Sequence, residues 1–280
     1  MQEIASVARL RAWRAAQRAA GRRVALVPTM GHLHEGHLAL VDEARRRADA
    51  VVLSIFVNPL QFGPAEDLER YPRDLPRDRR LSEARGVDAL FVPSVEEMYP
   101  PGMETRVAAG ETAERWEGAA RPGHFTGVLT VVAKLFHLVE PEVACFGQKD
   151  IQQLTLVRRM LHDLDWPVAL AVVPTVRDAD GLALSSRNVY LSAAERADAL
   201  SLSRGLRSAE AAWRAGERSA AALEGVVRAS LGAAPGVRAE YIAVVEPERL
   251  RPVESAAAGT IIAIAARVGR TRLIDNVILG

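Results

Sequence analysis

The sequence predicts a doubly wound, Rossmann-like parallel α/β sheet with a second, smaller α+β domain behind it. Three observations carry that prediction. Short, unbroken apolar runs rich in Val, Leu and Ala recur between residues 24 and 173, as expected of strands covered on both faces. Segments with helical spacing separate these runs, the alternation that crossover connections require. After Thr175 the rhythm gives way to Ala-rich helical stretches and then to alternating apolar and polar residues.

Residues 1–4 read as the opening of an amphipathic Arg/Ala stretch. Residues 24–27 form the first strand, closed by Pro28 and followed by a glycine-bearing turn and the helical pattern Leu38, Leu40, Val41 and Ala44. Residues 51–57, β-branched and uninterrupted, form the second strand, and 89–92, 143–146 and 168–173 add three more, with helices at 127–139 and 151–161. A polar extended stretch at 177–181 leads into helices at 193–215 and 220–231, where alanine supplies high helix propensity. The tail segments 239–245, 260–267 and 273–279 predict a small, mostly antiparallel sheet. The boundary falls near residue 176, giving domains 1–176 and 177–280. A chain of 280 residues favours two domains, because single cores stop growing near roughly 250 residues. Residues 58–72, with three prolines and one glycine, are the candidate for a mobile loop over a site.

Composition narrows the function classes. Thirty-six Lys and Arg against 35 Asp and Glu leave a net charge of +1, so no global field steers the chain onto nucleic acid or an anionic membrane. The arginine runs Arg45 to Arg47, Arg79 and Arg80, and Arg158 and Arg159 stand at helical positions amid acidic neighbours and read as solvated faces. One cysteine, Cys145, excludes an internal disulfide framework and a thiolate cluster for zinc; it reads as a small buried hydrophobe without a nucleophilic role. That usage fits a reducing compartment and makes a cytoplasmic location the expectation. No targeting segment is read at the N-terminus, and no apolar run approaches the ~20 residues of a membrane span.

Three clusters carry chemistry. PTMGHLHEGH at 28–37 lies between the first strand and its helix, where open α/β sheets bind ligands and a helix N-terminus attracts phosphate. If the helix starts there, the three-residue spacing of His34 and His37 puts both imidazoles on one side of its first turn, and Gly36 leaves room for an anion near the backbone. The competing readings are histidines exposed by accident and a zinc site of His32, His34 and His37; the latter is disfavoured by divergent directions and absent Asp or Cys partners nearby. CFGQKD at 145–150 also ends a strand: Lys149 offers a point charge to a polyphosphate, Gly147 permits close approach, and Asp150 can accept from a ribose hydroxyl or merely cap the next helix. DGLALSSRN at 180–188 supplies Ser185, Ser186 and Arg187, two hydroxyls and a guanidinium fork suited to a leaving pyrophosphate, or simply a capped turn.

Together, and in this order, the clusters resemble the pantothenate synthetase family of the HxGH nucleotidyltransferase superfamily, whose fold is related to class I aminoacyl-tRNA synthetases. The likeness spans almost the whole chain and includes SIFVNPLQF at 54–62, RYPR at 70–73 and RPGHFTGV at 121–128. HxGH alone specifies the superfamily; VNPLQF and DGLALSSRN narrow it to this family. Gln148 is a departure from the resemblance, which leads one to expect Glu there.

The resemblance implies a ligase that condenses (R)-pantoate with β-alanine to pantothenate, AMP and pyrophosphate through a pantoyl-adenylate, in coenzyme A precursor biosynthesis. It implies ATP contacts from Met30, Gly31, His32, Leu33, His34, Glu35, Gly36 and His37, with His34 and His37 on the phosphates and His37 the proton donor. Lys149 would hold the α-phosphate beside Gly147, Gln148 and Asp150, Val176 the adenine through its backbone, and Leu184, Ser185, Ser186 and Arg187 the polyphosphate as the second domain closes. Gln61 and Gln153 are the implied pantoate ligands, and Gln61 meets β-alanine as well. Pro28, Met30, Val131 and Val132 are candidates for the wall against the dimethyl group, with core packing the alternative. Mg²⁺ would bridge phosphate oxygens while keeping its waters, with protein metal ligands left unassigned. A homodimer through the larger domain is implied. The rivals are a nucleotidyltransferase that releases a nucleotide-linked product and a nucleotide sensor that binds ATP without turnover.

Overall fold

A computed structural model describes residues 1–64 and 66–280. The chain divides into two compact units, one of Met1–Glu114, Gly118–Gly147 and Leu156–Pro174, the other of Arg115–Glu117, Gln148–Thr155 and Thr175–Gly280.

The first unit is built on a six-stranded sheet: β1 (Gln2–Ile4), β2 (Val24–Thr29), β3 (Ala50–Ile55), β4 (Ala89–Phe91), β5 (Val143–Gly147) and β6 (Ala169–Val173), in the order β1-β4-β3-β2-β5-β6. Every pairing in it is parallel. The helices along this part of the chain are α1 (Val7–Ala19), α2 (Glu35–Arg47), α3 (Leu75–Ala84), the single-turn α4 (Val95–Met98) and α5 (Glu117–Ala120), α6 (His124–Val139) and α7 (Ile151–Asp163). From β2 the chain runs to β3 and β4 on one side, and β5 and β6 lie on the other, so strand order reverses between β2 and β5. This is the topological switch point at which such sheets open a crevice.

Residues 24–27 of β2 are all fully buried and 50–53 of β3 likewise, which explains their continuous apolar runs. The N-terminal reading needs correction: residues 2–4 form an edge strand, with Gln2 N donating to Asp88 O at 2.8 Å and Ile4 fully buried. Three residues are too short to show a period, and only pairing with β4 makes them a strand. Near the other end of the unit, Arg14 is 5% exposed and donates to the carbonyls of Val139 and Glu140 and to Glu142 Oε1. It thereby satisfies the last carbonyls of α6, where a cation is favoured by the helix dipole.

The second unit pairs α8 (Ala193–Arg214) and α9 (Ala220–Gly232) with an antiparallel sheet in the order β7 (Val237–Val245), β8 (Ile261–Val268), β9 (Thr271–Ile278). Ser192 and Glu195 close a capping box on α8, and Ser219 caps α9. Leu202, Leu206, Leu223 and Val227 of the helices pack with Ile262, Ile264 and Leu273 of the sheet, which supplies the core that the Ala-rich composition alone did not locate.

Candidate active site

The HxGH segment follows directly on β2, and its shape is set from a distance. Gly31 and His32 have φ of +82° and +50°, so the chain turns sharply; a Cβ at Gly31 would stand 2.9 Å from Ile55 Cγ2, a contact only glycine avoids. The turn is held by Asp78 of α3, 1% exposed, whose carboxylate accepts from His32 N and Leu33 N, each at 2.7 Å. Arg77 donates to Leu33 O at 2.6 Å. Sequence reasoning missed both residues, and no local spacing announces a contact across more than forty residues.

His34 is the N-cap of α2. Its Nδ1 accepts from Gly36 N at 3.1 Å, and His37 Nδ1 accepts from His34 N at 3.4 Å, a capping box made of two histidines. The two rings lie 4.1 Å apart. Because a backbone N–H can only donate, each neutral imidazole keeps its own proton on Nε2. Both Nε2–H groups therefore belong to the first turn of α2, at the positive end of the helix dipole. Glu35 pairs with Arg85 at 2.8 Å, so its backbone rather than its carboxylate is available to a ligand. Leu33 is fully buried, and the amides of His32 and Leu33 are already taken by Asp78. The Gly36 amide is likewise spent on His34 Nδ1, which leaves the imidazoles of His34 and His37 as the loop's candidate groups toward an anion.

Past β3, the backbone leaves the sheet at Phe56, earlier than the predicted 51–57 strand, and Pro59–Gln61 forms a 3-10 turn. Gln61 is 9% exposed and belongs to a buried amide chain whose direction can be derived. Leu60 N must donate to Asn58 Oδ1 (3.2 Å), and Gly127 O must accept from Asn58 Nδ2 (3.1 Å). Asn58 is therefore fixed, its Nδ2 also reaches Gln61 Oε1 at 3.0 Å, and Tyr99 donates its phenol to Asn58 Oδ1 at 2.8 Å. Gln61 is left with Nε2 as its remaining polar group, which donates to Met30 Sδ at 3.3 Å. Burial raises the Tyr99 pKa, keeping the phenol a donor.

The Gln61 carbonyl is gripped by His124 Nδ1 at 2.8 Å and Arg121 Nη2 at 3.2 Å. Arg121 Nη1 lies 3.0 Å from His124 Nε2, so that nitrogen accepts and Nδ1 donates. Arg121 also pairs with Glu66 at 2.5 Å; burial pushes the Glu66 pKa up, but the Arg121 hydrogen bond and charge outweigh it and hold it below the usual value. Arg73 donates to the carbonyls of Leu68, Glu69 and Tyr71. The 58–72 loop is thus tied at both ends, with residue 65 outside the described residues. Val131 and Val132 of α6 are 8% and 4% exposed, while Pro28 and Met30 are half-buried.

In the second unit, Gln148, Lys149, Asp150 and Gln153 surround the start of α7, with Lys149 and Gln153 half-buried and Asp150 exposed. Built at Gly147, the end of β5, a Cβ meets no protein atom within 4 Å, so packing does not demand that glycine. Asn276 of β9, 2% exposed, donates from Nδ2 to Gln148 O (3.0 Å) and Lys149 O (2.9 Å) and accepts from Gln148 Nε2 (3.2 Å). Gln152 accepts from Glu117 N and donates to Arg115 O. Ser185 caps a 3-10 turn over Ser186–Tyr190 by accepting from Arg187 N at 3.2 Å, and Leu184 N donates to Val176 O at 3.0 Å. Val176 and Leu184 are therefore paired backbone partners, and an adenine contact at Val176 would share that carbonyl or use its N–H.

Cys145 is fully buried in β5, and burial pushes its thiol up to about 12, which keeps it protonated. Arg46 and Arg47 both pair with Glu43, Arg45 with Asp88, Arg79 with Glu3 and Arg159 with Asp163, so these arginines are answered within the chain. Among the described residues no helix is long and apolar enough to cross a membrane.

Known proteins resemble this chain over its full length. The family model for pantoate-β-alanine ligase matches residues 2–278. A pantothenate synthetase of Heliobacterium modesticaldum is 52% identical over 279 residues, covering 100% of this chain and 99% of the relative, and one of Chloroflexus aurantiacus is 55% identical, covering 94% of each. The crystal structure of pantothenate synthetase from Thermus thermophilus superposes with a TM-score of 0.94 at 52% identity, covering 99% of both chains. That of a pantoate-β-alanine ligase from Francisella tularensis, complexed with β-γ ATP and β-alanine, does so with a TM-score of 0.82 at 32% identity, covering 99% of this chain and 97% of the other. With a histidine-capped helix start at its switch point and a family match over residues 2–278, this chain belongs to the pantoate-β-alanine ligase family.

Proposed function

We propose that the chain condenses pantoate with β-alanine at the expense of ATP, through a pantoyl-adenylate, releasing pyrophosphate and then AMP. The observation that carries this reading is the capping box of His34 and His37 at the N-terminus of α2, directly after β2 at the sheet's switch point. The pantoate carboxylate is itself the nucleophile, so the protein has only to position two anions and stabilise the charge that builds on the phosphates.

On this reading His34 and His37 donate to the ATP phosphates, and Lys149 lies against the α-phosphate. Ser185, Ser186 and Arg187 receive the departing pyrophosphate, Gly147 and Asp150 meet the nucleoside, and Val176 meets the adenine. Gln61 presents Nε2–H to the pantoate carboxylate or hydroxyl, with Gln153 as the second amide. The neutral amine of β-alanine then attacks the mixed anhydride, which the 58–72 loop screens from water. Among the described residues no group of three or more His, Cys, Asp or Glu side chains is placed to hold a metal ion; a Mg²⁺ ion would be carried by the phosphate oxygens and its own waters. A cytoplasmic homodimer is the accompanying proposal for location and assembly.

The test is pantoate-dependent exchange of labelled pyrophosphate into ATP with Mg²⁺ present and β-alanine absent. Exchange, followed by AMP and pantothenate release when β-alanine is added, supports the reading. Folded, ATP-binding protein that shows no exchange overturns it, and a nucleotide-linked product would identify a transferase instead.

A further inference from the structure

Two adjacent residues of β9, Asp275 and Asn276, are 3% and 2% exposed, and each sends its side chain to a segment outside the sheet. Asp275 receives Arg177 through two bonds, Oδ2 at 2.6 Å and Oδ1 at 2.9 Å, and its Oδ1 also accepts from Asn276 N at 2.8 Å. Arg177 donates onward to Gly181 O at 3.3 Å, inside the DGLALSSRN turn. Asn276 donates to the carbonyls of Gln148 and Lys149 and accepts from the Gln148 amide. One buried dipeptide thus holds both segments of the second unit to which the proposed function assigns phosphate contacts.

Burying polar side chains is costly unless every one is paired, and an apolar pair would fill β9 at less cost. Asn276 is the more informative of the two. Its orientation is fixed, because both carbonyls can only accept, so Nδ2 must face them. Those carbonyls belong to the residue carrying the ammonium group and its neighbour, so the amide sets where the Lys149 Cα sits. We infer that Asn276 is a positioning residue for adenylation, acting through Lys149 by clamping the Gln148–Lys149 backbone. The inference rests on the assignment of Lys149 to the α-phosphate.

The replacement Asn276→Asp keeps the size but turns the two donor contacts into repulsions. The assay is pyrophosphate exchange in four proteins: wild type, Asn276→Asp, Lys149→Ala and the double variant, with melting temperature measured alongside. The expected result is a fall of roughly 100-fold in exchange for Asn276→Asp, the scale of a small misplacement, and no further fall when it is added to Lys149→Ala. An Asn276→Asp loss that persists in full on top of Lys149→Ala, or exchange within about twofold of wild type, overturns the inference. Full exchange by Lys149→Ala with an inactive Asn276→Asp sinks the Lys149 assignment instead, so the two failures are distinguishable. Should Asn276→Asp not fold, the neutral Asn276→Ser replaces it in the same cycle: it keeps one donor, and an intermediate loss absent from the Lys149→Ala background supports the inference, while an additive loss overturns it.

Discussion

His37 Nδ1 accepts the backbone N–H of His34 while the two imidazoles lie 4.1 Å apart, so one pair of side chains both starts α2 and keeps its protons on the Nε2 atoms. His37→Ala removes an Nε2–H donor and one arm of the capping box. Exchange of pyrophosphate should fall about 100-fold or more, the scale of losing one preorganised donor, with a stability loss near about 1 kcal/mol by denaturant titration. A variant that loses stability but keeps its exchange rate would reduce His37 to a cap.

Asn58→Asp reverses the buried amide chain. The new carboxylate cannot donate to Gln61 Oε1 or Gly127 O, so Gln61 turns its Nε2 toward residue 58 and away from its place beside Met30. The pantoate KM should rise at least about tenfold, the scale of one lost hydrogen bond to a charged group, while the ATP KM holds. Steady-state kinetics with each substrate varied in turn would separate the two, and an equal rise in both would count against the chain's role.

Gly127→Ala places a Cβ 2.1 Å from Leu60 O and 2.6 Å from Gln61 N. Neither is a flexible side-chain tip, so the 3-10 turn must move away from α6. A stability loss of about 1–3 kcal/mol is expected together with a raised pantoate KM. An unchanged melting curve would mean that α6 and the turn separate freely.

Glu66 has a lowered pKa in the folded protein, so its pairing with Arg121 stabilises the fold above the ordinary value of 4.5 and that contribution is lost as pH falls through the lower, folded value. Glu66→Gln should therefore melt at a lower temperature than wild type near neutral pH, with the gap closing in acid. A gap independent of pH would show that the carboxylate charge is not what holds the loop.

Cys145 should resist iodoacetamide in the native enzyme, because a buried thiol held near 12 supplies almost no thiolate at neutral pH. Activity after alkylation should match the untreated sample, with modification appearing only in denaturant. Rapid inactivation on treating the folded protein would contradict the buried placement.

The sequence by itself determined the doubly wound sheet, the small antiparallel tail sheet and the place of the HxGH histidines at a helix start. All three rest on local information: unbroken apolar runs, period-two alternation, and residues three apart at a cap. Local order also carried the motifs that place the chain in its family. What tertiary structure alone decided are the partners that give those motifs a shape. Asp78 reaches the amides of residues 32 and 33, Asn276 reaches the carbonyls of 148 and 149, and the pair Leu60 N and Gly127 O sets which way Gln61 faces. Residues 2–4 became a strand only because β4 offered an edge. A hydrogen bond between residues many turns of chain apart leaves no period in the sequence, since its existence depends on where the intervening helices and strands have packed.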